Sequence, residues 1–152
     1  MSKFKFRYFI VCDDIRQEAG GKSTLVGVYE GSLIVPVFPI VINKLVFRVS
    51  VILVDDSKNF TMKVKSEEDR ELLGVTHAII NQTSGDIINV QIFAQMVSFQ
   101  APTKLRVFFG LDDEELVQVD EFVVRAPKND QERQQSREVN PIMAALGEHP
   151  PD

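Results

Sequence analysis

Cysteine and histidine are scarce in this chain. Cys12 is its one cysteine, and His77 and His149 are its two histidines, among 152 residues. A single thiol forms no intrachain disulfide, which fits a reducing compartment. Neither histidine stands in an ExxH or HxxxH spacing, so no helix face offers a pair of metal-ligating imidazoles. No GxSxG elbow is present, and no apolar run approaches the roughly 20 residues of a membrane span. The opening residues alternate charge with aromatics as far as Arg7 instead of entering an apolar h-region, so the sequence predicts a cytoplasmic protein with no export signal and no membrane partner. Cationic excess is missing too. Lys and Arg number 17 against 22 Asp and Glu, a net charge of −5, whereas nucleic acid selects a basic surface.

What is present is an ordinary globular composition, 44% apolar and 26% charged, on a chain long enough for one domain with a real core. Phe4, Phe6, Tyr8, Ile10 and Cys12 alternate with Lys3, Lys5 and Arg7, as a strand with one buried face requires. The basic residues would guard such a strand against edge-to-edge pairing. Gly20 and Gly21 supply a tight connection to a returning strand, Ser23 to Tyr29, so the opening predicts a long hairpin. Pro36 and Pro39 then forbid a central strand and imply an edge segment or crossover.

Leu45, Phe47, Val49, Val51 and Leu53, followed by Phe60, Met62 and Val64, predict a second long hairpin. Ser66-Glu67-Glu68-Asp69 has the form of a capping box, with Gly74 placed to close a short inserted helix. Strand patterns resume at 75–80, 88–99, 105–111 and 116–124, and the apolar parity of the last switches near Asp120, which predicts a bulge. About eight strands separated by Pro and Gly turns point to an all-β fold, an antiparallel β-sandwich of immunoglobulin-like type over 1–125. Residues 126–152 read as a polar connector and a short amphipathic tail helix. In it Ile142, Met143 and Leu146 are spaced to anchor on a partner's groove.

The GGKS at Gly20 to Ser23 is not a phosphate loop, because the required upstream glycine is Arg16 and a strand follows where a helix is needed. Asp13-Asp14, Asp55-Asp56 and Asp112-Asp113 each close a long strand, the first, third and seventh in sequence order. In an up-and-down arrangement these strands would end together, and clustered carboxylates on loops are the chemistry that holds calcium. Aspartate also favours turns for its own hydrogen bonds. Cys12 on an apolar strand face reads as core.

The stretch Cys12 to Glu18 (CDDIRQE), Gly20-Gly21-Lys22 and Leu25 to Tyr29 (LVGVY) resembles an uncharacterised bacterial or phage-borne family of unknown function. That resemblance implies no activity, cofactor or site residue. With no nucleophile, metal set or phosphate loop in view, the sequence predicts a non-enzymatic protein-binding or self-associating module. The alternatives are a ligand- or calcium-binding sandwich and, behind it, an enzyme built on Asp13, Asp14, Arg16, Glu18 and Lys22.

Overall fold

A computed structural model describes residues 2–139, and the side chains of 2–136. Among these residues nine strands form two sheets. The elements run β1 (Phe4–Gln17), β2 (Ser23–Tyr29), β3 (Ser32–Ile34), β4 (Ile40–Leu53), β5 (Asn59–Lys65), β6 (Glu71–Ala78), β7 (Ile87–Phe99), β8 (Thr103–Leu111), β9 (Val117–Arg125) and α1 (Asp130–Val139). The first sheet has the order β2-β1-β4-β7 and the second β3-β9-β8-β5-β6. Pairing is antiparallel except at β3 and β9, which run parallel.

Period-two alternation builds the core. Leu45, Phe47, Val49, Val51 and Leu53 of β4 face Met62 and Val64 of β5 and Leu105, Val107, Phe109 and Leu111 of β8, all buried in one cluster. Phe109 sits at its centre, edge-on to Phe4 at 4.9 Å and stacked with Phe60 at 6.2 Å. The outer residues of β4 are covered as well: Val46, Arg48 and Ser50 are buried. Val46 joins Cys12 and Ile15 in a second, smaller apolar cluster outside the sandwich interior.

The opening hairpin forms as expected, with Cys12 opposite Val28 and Gln17 opposite Ser23 across the Gly20-Gly21 turn. The bulge expected near Asp120 also forms, as a register shift where Val107 meets Asp120 and Phe108 meets Gln118.

Two expectations are overturned. β4 and β5 are not a hairpin: β4 pairs with β1 and β7, while β5 pairs with β6 and β8. The segment between them arches from one sheet to the other, and strand periodicity is the same for an arch and a hairpin. The inserted helix is also absent. Ser66 to Arg70 is a tight turn closed by Ser66 N–H donating to Arg70 O at 2.9 Å, and β6 starts at Glu71. Arg106 holds that turn by donating to Asp69 at 2.9 Å, so the acidic residues serve a hairpin loop rather than a helix start.

The helix is instead α1, inside the stretch read as a polar connector. Ile142, Met143 and Leu146 lie outside the described residues.

Phe109→Ala should lower the unfolding free energy by about 3–5 kcal/mol, the cost of an aromatic-sized cavity in a close-packed core. Urea denaturation measures it, and a loss under about 1 kcal/mol would show that the two sheets do not interlock at this ring.

Candidate functional site: the edge cleft

β2 is the margin of the first sheet and β3 the margin of the second. Between them the sandwich is open, and a cleft of about 470 Å³ enters there, walled on the outside by α1. Leu33, Val35 and Ile42 give it an apolar floor, continuous with the core. Asp13, Tyr29, Glu30, Ser32, Gln135 and Ser136 supply polar groups at its sides.

A three-residue device shapes the inner wall. Gly27 interrupts the strand pattern of β2 with a φ of +63°, and a Cβ there would collide with the Asp13 carboxylate. The missing side chain lets the Asp13 carboxylate fold across β2 and accept a hydrogen bond from the Tyr29 hydroxyl. Burial, then that hydrogen bond, pushes the Tyr29 phenol up, so it keeps its proton throughout the physiological range.

The outer wall is fixed from β9. Arg125 grips Glu132 with both terminal nitrogens, at 2.8 and 2.9 Å. Glu132 also accepts from Lys128 N–H at 2.7 Å, and its own N–H donates to Asn129 Oδ1 at 2.9 Å. Asn129 is therefore the N-cap of α1, and Glu132 closes the helix start in the manner of a capping box. The Arg125 fork and the Lys128 amide together hold the Glu132 carboxyl down at about 2.

The aspartates singled out in the sequence do not converge. Asp13 and Asp14 lie within β1, not in a loop after it, and Asp14 accepts from Lys44 at 2.5 Å. That ammonium, before any other partner, holds the Asp14 carboxyl low. Asp55, Asp56 and Asp112 belong to the opposite end, where Phe4 meets Leu53 and the Lys3 carbonyl accepts from Asp55 N–H. Nine residues of strand, about 30 Å, separate Asp13 from that end.

Asp112 accepts from the amides of Lys58 and Asn59, at 2.8 and 3.1 Å, and from Lys3 at 3.3 Å. Asp56 accepts from Ser84 N–H at 2.8 Å, and Asp113 is exposed. The parity count failed because β3 adds a crossing between β2 and β4, so β4 runs antiparallel to β1 and ends where β1 begins. Among the described residues no group of three or more His, Cys, Asp or Glu side chains is set to hold a metal.

Cys12 is fully buried on the first sheet and its thiol donates to the Asp14 carbonyl at 3.5 Å; burial above all pushes its pKa up. His77 is on the second sheet, beside the Phe60 ring at 6.0 Å.

A family model described as a family of unknown function (DUF6941) matches residues 7–141. The chain belongs to that family. An uncharacterised family is what Tyr8 to Tyr29 led one to expect. No curated protein matches the chain. Among solved structures, the crystal structure of the C-terminal domain of wzt is similar at 12% identity and a TM-score of 0.44, covering 85% of this chain and 76% of that chain. A likeness that distant does not speak to function.

The cleft residues Gly27, Tyr29, Glu30 and Glu132, and Arg125 that holds Glu132, were not read as site residues from sequence, although two signals for them exist. A lone glycine inside the LVGVY strand pattern marks a bulge or a close approach. Asn129 with Glu132 three residues on is a helix-start signature in an otherwise featureless polar run.

Gly27→Ala should cost about 1–3 kcal/mol through its positive φ, with a further loss from displacing Asp13. Differential scanning calorimetry measures the total, and an unchanged Tm would show that Asp13 does not depend on the gap.

Folding lowers the Glu132 pKa from its ordinary 4.5 to about 2, so its contribution is complete above pH 4.5 and is lost as pH falls toward 2. The α1 amides should lose protection across that window in the native chain. In Glu132→Gln they should be poorly protected already at pH 6, and protection identical in both proteins would remove the Arg125 clamp from the account.

Proposed function

We propose that this chain is a non-enzymatic recognition domain that takes a short apolar protein segment, flanked by basic residues, in the edge cleft. The observation that carries the reading is the cleft itself: an apolar floor of Leu33, Val35 and Ile42 beneath a side bearing Asp13 and Glu30. Its volume suits one or two large apolar side chains. Asp13 and Glu30 favour a positively charged neighbour to those side chains, as does a net charge of −5.

Strand β2 adds a second means of holding a segment. Among the described residues its sheet neighbour is β1 alone, so its other side offers backbone groups to an incoming extended chain. Catalysis finds little support in the same groups. Tyr29 retains its proton and Cys12 is sealed from solvent.

Methyl-labelled protein titrated with short leucine- and isoleucine-containing peptides tests the proposal, one series flanked by lysine and the other by glutamate. The lysine series should shift the Leu33, Val35 and Ile42 methyl signals saturably. Glu30→Lys should weaken that binding about tenfold, in line with the ~1–2 kcal/mol of a juxtaposed charge reversal at a rim. Equal response to both series, or shifts confined to other parts of the molecule, would overturn it.

A further inference from the structure

We propose that the outer face of the first sheet holds an oxyanion site centred on Arg48, which takes a carboxylate or phosphate group of a small ligand. Arg48 lies in the middle of β4, in register with Ile10 on β1 and Gln91 on β7. Its chain neighbours Phe47 and Val49 point into the core, so its side chain emerges on the opposite face. There it is 8% exposed, and its Nε is buried with no hydrogen-bond partner among the described residues. A guanidinium taken out of water is stable only when charge and hydrogen bonds are returned to it. Buried donors left unpaired are rare enough that each one calls for a partner.

The partner does not come from Asp14. Asp14, which β1 sets toward the same face, is engaged by Lys44 at 2.5 Å and Arg16 at 3.9 Å. β1 also sets cations on this face. Arg7 reaches over this face to donate to Ser50 Oγ at 3.2 Å, two residues along β4 from Arg48, and Lys5 pairs with Ile52 just beyond. A chain of net charge −5 thus concentrates cations on one sheet face.

Arginine is the side chain whose planar fork matches a carboxylate or phosphate with two parallel hydrogen bonds. Asn89 and Gln91, opposite Ser50 and Arg48 on β7, place amide donors and acceptors alongside for the rest of such a ligand. The edge cleft uses none of these residues, so the two sites stand or fall separately.

The test is thermal unfolding of the full chain in a buffer free of oxyanions, titrated with inorganic phosphate and, separately, with citrate, against chloride at matched ionic strength. A ligand that binds only the folded state raises Tm in a saturable way. The native chain should gain several degrees with at least one of the two anions and none with chloride. A response to phosphate assigns a phosphate-bearing ligand, and a response to citrate assigns a carboxylate.

Arg48→Met should abolish the response. It should also melt at or above the native temperature in the anion-free buffer, because an apolar side chain of similar length replaces an unpaired buried charge. Arg48→Lys keeps the charge without the fork, and it should fold and bind at least tenfold more weakly even if the methionine variant does not fold. A flat native titration, or variants that respond as the native chain does, would overturn the proposal. So would a native dimer that Arg48→Met dissociates in the absence of any anion response, since the counter-charge would then belong to a second copy.

Discussion

Strand β4 is buried on both faces, and the rest of the molecule is arranged around that constraint. Its odd-numbered residues from Leu45 to Leu53 hold the second sheet against the first. Its backbone is paired along both sides, to β1 and to β7. A strand so enclosed cannot shift by one residue without turning its whole apolar set outward, so it fixes the register of its neighbours. The acidic pair of β1 is located by this register, with Cys12 opposite Val46 and Asp14 close enough to meet Lys44.

Both sites described here are consequences of where β4 begins and what it carries. Its first turn of chain follows β3 across the open margin, and Ile42 becomes part of the cleft floor. Its middle carries Arg48 to the outer sheet face, where among the described residues its Nε has no hydrogen-bond partner. The cleft exists because β2 and β3 belong to different sheets and, among the described residues, no strand bridges them. α1 closes this gap from outside, its first turn tied to β9 by the forked ion pair between Arg125 and Glu132. A wall tied by a polar clamp is separable from the core it covers. The inner wall, by contrast, is set in the sheet by the gap at Gly27.

Strand positions were legible because period-two burial leaves a strong mark: Leu45 to Leu53 and Phe60 to Val64 lie where alternation put them, whereas in β1 a register shift between Phe6 and Tyr8 turns Phe9 and Val11 to the core and Ile10 and Cys12, expected on the face of Phe4, to the other side. Pairing was less legible. Leu53 and Asn59 flank an arch whose residues, Val54 to Lys58, have the composition of any hairpin turn, and nothing in a single sequence separates the two. Ser66 to Gly74 shows local chemistry overruled by its neighbours: a capping box is worth about 1 kcal/mol, less than the ladder that pairs Lys63 with Gly74 and Met62 with Val75. The site was the least legible part. Its residues come from β1, β2, β3, β4 and α1, and their convergence depends on the order of strands in two sheets. Gly27 and the Asn129 to Glu132 start were visible in isolation, but what they shape was not.

Backbone amide exchange on the full chain bears most directly on the claim of a sandwich locked by β4 with a separable outer wall at its open margin. The account predicts that the slowest amides are those of β4 from Leu45 to Val51, exchanging only through global unfolding, while α1 amides exchange orders of magnitude faster by local opening. If α1 and β4 exchange at the same rate, the helix is part of the core and the cleft has no separable wall. If β4 exchanges faster than the strands of the second sheet, the constraint on which the account rests is not there.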